Sequence, residues 1–179
     1  ISRQFLERYI TMGFTDKADF ILIDGPPYPH GYWKGKATQF NGFKDDYLGL
    51  FSMIYGNDGI MEQVISATKR IIFVIKQSKS TEYISARGIS ISTPFGAMTD
   101  ADLMNFILPK ASTDHITISE PEHVTPRKYG PEFRRMGEKY REFLNEMLFF
   151  YIRPHNAYPI RVEIHKELLN ELDDVCSII

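Results

Sequence analysis

Apolar residues recur at helical spacing in some segments of this chain and form short continuous runs in others. Four apolar residues between Phe5 and Ile10 lie at helical spacing and predict a helix that ends at Gly13. Continuous apolar runs occupy residues 20–23 and 71–75, and each is bounded by polar or turn-forming residues. Such runs are typical of strands that are buried on both faces of a sheet, so we predict two strands of this kind.

Helical spacing returns several times further along the chain. The predicted helices after the first lie at residues 47–54, 60–66, 99–107, 133–147 and 166–175. Asp45 or Asp46 is placed to cap the first of these. Gly137 is a weak point inside the fourth, because glycine lowers helix stability.

The remaining apolar segments predict strands. A short strand is expected at residues 115–118, and two longer ones at 148–153 and 160–164 flank a turn-rich segment. The two longer strands are most simply the arms of a hairpin. Helices interspersed with buried strands, together with one hairpin, predict an α/β fold with a mixed sheet and flanking helices.

The composition is that of an ordinary folded protein. The chain has 179 residues, of which 43% are hydrophobic and 25% charged, and this excludes a disordered tail, a collagen-like repeat and a disulfide-rich miniprotein. A chain of this length has room for one core, so we treat residues 1–179 as a piece of a single domain. Cys176 is the only cysteine, so no internal disulfide is possible and a reducing, cytoplasmic location is expected. Apolar runs are far shorter than the roughly 18 residues of a membrane helix, so no membrane span is expected.

Charge is distributed unevenly along the chain. The formal net charge is −2, yet residues 25–44 hold three lysines and no carboxylate, and residues 127–141 hold six basic residues against two glutamates. A third basic segment lies between residues 63 and 81, whereas residues 163–174 are acidic. Basic segments in a mildly acidic protein can still form one positive channel for a polyanion. The alternative is ordinary solvated charge on helix and loop surfaces.

Several common chemistries find no support in the residues. No G-x-S-x-G motif is present, and no two histidines are spaced as in a zincin, which leaves out serine hydrolases and zincins. The segment 31–36 resembles a phosphate-binding loop, but its glycines are too close together and Ala37 replaces the required hydroxyl.

The most specific local feature is an aspartate that follows a predicted strand. In the sequence Ile-Leu-Ile-Asp-Gly-Pro-Pro at residues 21–27, Asp24 comes directly after the apolar run and the Gly-Pro turn diverts the chain behind it. A carboxylate held rigidly at a sheet edge is a suitable ligand for a hard divalent cation. The alternative is a simple Asp-Gly turn that ends a strand. Two-metal phosphodiester chemistry needs several converging oxygen ligands, so Asp24 alone cannot form a nuclease centre.

Aromatic and basic residues follow Asp24 in a long loop. Tyr32 and Trp33 stand beside Lys34 and Lys36, a combination that can stack bases and neutralise phosphates. Packing of these aromatic rings onto the core is the alternative. Lys76 and Lys79, which follow the second buried strand, are candidate phosphate contacts, with surface solubility as the alternative reading.

A charged pair lies inside one of the predicted strands. Glu163 and Arg161 are two residues apart in the strand at 160–164 and therefore point to the same face. A buried ion pair is the expected role, and contact with a substrate or a second subunit is the alternative. Asp100 and Asp102 are most economically interpreted as residues that begin a helix.

Taken in order, these segments resemble the C-terminal two-thirds of the NurA family of prokaryotic DNA-repair nucleases. The resemblance spans about residues 20–164. The matching segments are the strand and Asp-Gly-Pro turn at 21–26, the apolar run into Lys-Gln-Ser at 70–80, Thr-Asp-Ala-Asp-Leu at 99–103, and Phe-Phe-Tyr-Ile-Arg-Pro at 149–154 leading to Pro-Ile-Arg-Val-Glu at 159–163. Each segment is short, but the ordered set is fairly specific.

The resemblance implies a fold and an activity that the composition does not reveal. It implies an RNase H-like core and a manganese-dependent DNA nuclease, of the 5′–3′ exonuclease and single-strand endonuclease type, with Mg²⁺ as a possible substitute. It also implies a homodimer that works with a HerA-type hexameric ATPase in resecting double-strand breaks. Asp24 is the residue that matches a metal ligand of the family.

The resemblance also implies that this chain lacks other ligands of the site. The family's other carboxylates come from strands that precede a segment like residues 2–12, and its tyrosine and histidine follow the Arg-Val-Glu strand in a separate motif. We therefore expect a partial domain that lacks N-terminal strands and the C-terminal end, and that has no nuclease activity alone. The alternative function is a non-catalytic DNA-binding or helicase-docking module.

Overall fold

The computed structural model describes residues 2–28, 43–76, 78–89, 92–93, 96–109, 116–124, 131–154 and 157–179. The helices in these ranges are α1 (Ser2–Met12), α2 (Phe43–Tyr55), α3 (Ile60–Ala67), α4 (Glu82–Ala86), α5 (Asp100–Ile107), α6 (Glu138–Asn145) and α7 (Leu172–Ile178). The strands are β1 (Ile21–Asp24), β2 (Ile71–Ile75), β3 (Ser92–Thr93), β4 (Gly96–Ala97), β5 (Thr117–Ile118), β6 (Glu122–His123), β7 (Met147–Arg153) and β8 (Ile160–His165). Short 3-10 helices occupy Pro131–Arg135 and Lys166–Glu171.

The main sheet is mixed. Its strand order is β1-β2-β8-β7-β5, and β6 also pairs with β7. β1 and β2 are parallel, whereas the other pairs in this sheet are antiparallel. β3 and β4 form a separate two-stranded sheet. The predicted α/β fold with a mixed sheet and flanking helices is confirmed, and β7 and β8 form the predicted hairpin.

The sheet separates two apolar cores. On one face Ile23, Phe73 and Phe149 pack in a large cluster with side chains of α2, α3 and α6. On the other face Val162 and its neighbours pack against residues of the 166–171 helix and α7. Because successive side chains of a strand point to opposite faces, β2 and β7 contribute to both cores, and every residue of both strands is buried. Each large apolar side chain buried in this way contributes about 1.5–3 kcal/mol.

β1 differs from the prediction that both of its faces are buried. Ile21 and Ile23 are buried in the larger core, but Leu22 remains 44% exposed on the opposite face. Among the described residues β1 pairs on one side only, with β2, and the second core does not extend under it. The prediction was wrong because a continuous apolar run does not reveal which neighbours cover the strand.

Gly137 divides the segment that was predicted as one helix over residues 133–147. The glycine has an extended backbone, with φ −60° and ψ 151°, and stands before the first residue of α6. Its N–H donates to the carbonyl oxygen of Tyr55 at 2.7 Å. A Cβ atom here would lie 2.7 Å from the carbonyl oxygen of Gly56, so only glycine allows this close approach of α6 to the end of α2.

Other boundaries also differ from the predicted ones. α2 begins at Phe43, so Asp45 and Asp46 lie within the helix and not at the position that precedes it. The predicted final helix consists of a 3-10 segment followed by α7. Within the described ranges, no helix combines the length and the apolar character required to cross a bilayer.

Candidate functional site

Asp24 stands at the C-terminal end of β1 with its carboxylate in solvent. Its side chain is 54% exposed, and Lys76 Nζ lies 3.5 Å from its Oδ1. The two side chains meet because Asp24 pairs with Val74 in the parallel register and Lys76 follows two residues later, on the same face. No backbone amide of the described residues donates to this carboxylate. Asp24 is therefore open to a ligand that can replace a surface ammonium group.

Gly25 turns the chain away from the sheet directly after Asp24. Its N–H donates to the carbonyl oxygen of Val74 at 2.8 Å, which extends the ladder between β1 and β2 by one residue. Its φ of +100° lies in the region that L side chains rarely adopt. Since a Cβ would meet nothing within 4 Å, glycine is required here by the backbone conformation and not by a lack of space.

A groove of about 430 Å³ lies between α1 and β1, and Asp24 is one of its lining residues. Its lining is largely apolar and includes Ile10, Phe14, Phe20 and Leu22. An apolar lining does not attract phosphate groups, so this groove is not the positive channel that the charge distribution suggested. Lys76 is the basic side chain that the described residues place in contact with Asp24.

The described residues do not form a metal site around Asp24. No group of three or more histidine, cysteine, aspartate or glutamate side chains in the described part of the chain could hold a metal ion. A divalent cation in a protein normally has several oxygen ligands, so Asp24 by itself is an incomplete site. Asp24 fits a divalent cation only as one of several ligands, and the described residues do not supply the others.

The structure describes two of the six candidate nucleic-acid contacts, Lys76 and Lys79. Lys76 is exposed and adjacent to Asp24, a position from which it can meet a phosphate bound at the same place. Lys79 is also exposed. Tyr32, Trp33, Lys34 and Lys36 lie outside the described residues.

Arg161 and Glu163 form a buried ion pair on the larger core's side of the sheet. Arg161 Nε lies 2.6 Å from Glu163 Oε1, and the two side chains are 3% and 1% exposed. Arg161 also donates to Glu82 at 2.9 Å and to the Ser80 hydroxyl at 3.0 Å, and its guanidinium lies 3.8 Å from the Phe149 ring centroid. This geometry favours the structural interpretation, because neither side chain reaches the surface to contact a substrate or a second subunit.

The ion pair belongs to a cluster in which two carboxylates share one guanidinium. Burial raises the pKa of the Glu163 carboxyl, and the nearby Glu82 adds to this shift, while Arg161 opposes it. Glu163 Oε2 is buried and has no hydrogen-bond partner in the described ranges.

Asp100 has a role that the sequence did not indicate. Its buried carboxylate accepts from the backbone N–H groups of Tyr83 at 3.0 Å and Ile84 at 2.9 Å, at the start of α4. Asp100 therefore caps α4, which lies 16 residues earlier in the chain, and is also the first residue of α5. Thr99 and Asp102 form the capping box of α5. No local signal could have revealed this role, since α4 itself was not predicted.

Comparison of the chain with protein-family models, with curated proteins and with solved structures finds no match. The resemblance to the NurA family therefore rests on the ordered motifs alone.

Proposed function

We propose that this chain is part of a metal-dependent DNA nuclease of the NurA type and that Asp24 is one of the carboxylates that hold the divalent cation. The single observation that carries the proposal is the position of Asp24. Its carboxylate is solvent-exposed at the end of a strand that is packed into the core, and it accepts from no backbone amide of the described residues. The mixed sheet is compatible with the RNase H-like core that the motifs imply. Mn²⁺ is the proposed cofactor, with Mg²⁺ as a substitute.

The ion pair with Lys76 is compatible with a cation at Asp24. Exposed ion pairs contribute only about 0–1 kcal/mol, so a divalent ion can displace the ammonium group at little cost. Lys76 then remains near the site, where it can bind a phosphate. When bound, the cation would supply polarisation of the scissile phosphate and activation of water. Asp24 itself would hold and orient the ion.

The other ligands are proposed to come from segments outside this chain. One exposed aspartate does not form a catalytic centre, so the isolated chain should not cleave DNA. In the complete protein we propose a homodimer that acts on DNA ends in the cytoplasm beside a HerA-type hexameric ATPase.

The proposal is tested with protein expressed from the complete reading frame. Asp24→Asn keeps the size of the side chain and removes its charge, and it should abolish Mn²⁺-dependent cleavage of labelled DNA while DNA binding stays near wild type. Asp19→Asn is the matched control, since Asp19 is an exposed aspartate that precedes the same strand, and it should cleave normally. Retained turnover by the Asp24 variant would remove this residue from the catalytic site.

A non-catalytic DNA-binding or helicase-docking module is the second candidate function. It is favoured by the lack of a ligand cluster among the described residues. Such a module would bind DNA with a steep dependence on salt and no need for a metal. A nuclease site would instead bind Mn²⁺ in a manner that weakens when Asp24 is replaced, and titration of the metal separates the two.

A further inference from the structure

We infer that the edge of β1 that faces away from β2, together with the groove between β1 and α1, is a docking site for an extended segment of a partner protein. The segment pairs with β1 as an additional strand. Its alternate side chains are apolar and lie in the groove, and a lysine or arginine lies at the acidic end of the groove. The inference goes beyond the proposed nuclease function and does not depend on it.

The backbone of β1 directs hydrogen-bonding groups away from β2. The N–H groups of Ile21 and Gly25 donate to carbonyl oxygens of residues 70–74 at 2.9 and 2.8 Å. Because alternate residues of a strand direct their backbone groups to opposite edges, the N–H and C=O groups of Leu22 and Asp24 point to the other edge of β1. Among the described residues no strand pairs there. An open edge of this kind is a template for one further strand.

The groove follows this open edge. Its lining includes Ile23, which points to the larger core, and Leu22, which points to the opposite face of the sheet. A groove that meets both faces of one strand runs along the edge of that strand. Its other wall is α1, where Ile10 and Phe14 line it. The volume of about 430 Å³ lies within the range of about 300–1,000 Å³ that is typical of ligand pockets.

α1 has an apolar stripe that the core does not use. Phe5 and Met12 pack against the larger core, whereas Leu6, Ile10 and Phe14 each remain more than half exposed. These three residues are four positions apart and therefore lie on one side of the helix. A strand beside β1 would cover Ile10 and Phe14, which line the groove, and would leave Leu6 outside it. Exposed apolar patches of this kind mark binding surfaces when polar residues border them.

The groove is acidic at one end. α1 leads through residues 13–20 directly into β1, so Glu7 on α1 lies beside the end of β1, where Asp24 stands. Lys76 contacts Asp24 at 3.5 Å, and the exposed Arg3 contacts one carboxylate oxygen of Glu7 at 2.6 Å. An ionised carboxylate has about four acceptor sites, so both groups can still accept from a further cationic side chain.

These features select the occupant. The open backbone requires an extended segment, the wall formed by α1 requires apolar side chains at alternate positions, and the two carboxylates favour a basic residue at one end. β2 gives a precedent on the other side of β1, because its apolar run Ile71–Ile75 is followed by Lys76, which meets Asp24. A second copy of β1 is disfavoured, since residues 21–24 contain an aspartate and no basic residue.

The test uses protein from the complete reading frame, in buffer without divalent ions so that no metal ion competes for Asp24. The probe is a fluorescent peptide of sequence Lys-Val-Thr-Val-Thr-Val-Lys, which reads the same in both directions and carries valine on one face. Its counterpart has glutamate in place of both lysines. We expect saturable binding of the lysine peptide by fluorescence anisotropy, about fivefold tighter than binding of the glutamate peptide.

Two variants and one further readout locate the peptide. Ile10→Ser shortens an apolar side chain of the groove and should weaken binding about fivefold. Leu6→Ser is the matched control, because Leu6 is equally exposed on the same helix but does not line the groove, and its affinity should stay near wild type. Hydrogen exchange at the amides of Leu22 and Asp24 should slow when the peptide binds. Thermal unfolding verifies that both variants are folded at the assay temperature.

Several results would overturn the inference. Absence of saturable binding, equal losses in Ile10→Ser and Leu6→Ser, or unchanged hydrogen exchange at Leu22 would show that the edge of β1 does not receive the peptide. Slow exchange at Leu22 and Asp24 in the free protein would show that another part of the same protein already pairs there. Conversion of a dimer to a monomer by Ile10→Ser would identify a second copy as the occupant, contrary to the partner strand inferred from the charges.

Discussion

Arg161 is the only cation among the described residues of a buried cluster that also contains Glu82 and Glu163. Its replacement by methionine removes that positive charge. The guanidinium contacts Glu163 at 2.6 Å and Glu82 at 2.9 Å, and all three side chains are at most 5% exposed. Loss of one partner from a buried ion pair leaves an uncompensated charge and costs about 3–5 kcal/mol. Arg161→Met should therefore lower the free energy of unfolding by about this amount.

Glu163→Gln is the contrasting perturbation. The amide oxygen can still accept from Arg161, and the change removes a carboxyl whose pKa is raised by burial. Below pH 4.5, where the wild-type carboxyl is protonated in both the folded and the unfolded state, we expect a cost of about 1 kcal/mol, the value of one hydrogen bond. The two substitutions affect the same contact. The difference between their free energies of unfolding therefore measures the cost of leaving a buried charge uncompensated.

The raised pKa of Glu163 also gives a pH dependence with a defined sign. Between the ordinary value of 4.5 and the higher value in the folded protein, the folded state holds a proton that the unfolded state has lost. Stability contributed by Glu163 is thus fully present below pH 4.5 and is lost as the pH rises through the folded-state pKa. The advantage of wild type over Glu163→Gln should shrink by up to about 1.4 kcal/mol per pH unit in this window.

Urea unfolding followed by circular dichroism at several pH values measures both effects. Arg70→Met is the control for Arg161→Met, because Arg70 forms a partly exposed ion pair with Glu171 and its loss should cost at most about 1 kcal/mol. The reasoning would be refuted if Arg161→Met cost no more than Arg70→Met. It would be refuted equally if the advantage of wild type over Glu163→Gln grew with pH.

Three further predictions follow from other parts of the structure. Gly137→Ala should lower the free energy of unfolding by about 1–3 kcal/mol, because its Cβ would lie 2.7 Å from a backbone oxygen; Gly49→Ala, inside α2 with no atom within 4 Å of its Cβ, should instead stabilise by about 0.5–1 kcal/mol. Burial lowers the pKa of His165, so the stability that this residue contributes should fall as the pH drops below 6.5, the ordinary pKa of histidine. The dependence of the unfolding free energy on pH should be lost in His165→Gln but not in the exposed His123→Gln variant. A dependence that persists in His165→Gln would contradict the assignment. Lys76→Gln should tighten Mn²⁺ binding in the complete protein by up to about fivefold, since a competing ammonium group is removed; calorimetric titration measures this, and weaker binding would argue against Asp24 as the ligand.

The sequence predicted those elements whose signals are local. β2 and the β7–β8 hairpin were indicated by their apolar and β-branched residues, and α5 was indicated by Thr99 and Asp102, which form its capping box. What could not be predicted depends on tertiary contacts. The requirement for glycine at 137 arises from the approach of α6 to α2, and the exposure of Leu22 depends on which elements cover β1.

The candidate site also combines a feature that the local sequence indicated with features that depend on tertiary contacts. The Asp-Gly-Pro sequence indicated a carboxylate at the end of a strand, and the structure places Asp24 there with its side chain in solvent. Arg8 donates to the carbonyl oxygen of Pro26, 18 positions away, and Tyr140 donates to that of Pro27, 113 positions away. No spacing or composition rule relates residues at such distances, because their meeting is a property of the packed core.

Titration of Mn²⁺ into protein from the complete reading frame, with wild type and Asp24→Asn compared by calorimetry, tests the central claim most directly. Wild type should bind Mn²⁺ at least tenfold more tightly than Asp24→Asn, with both proteins equally stable to heat. Equal affinities in two equally stable proteins would contradict the assignment of Asp24 as a metal ligand.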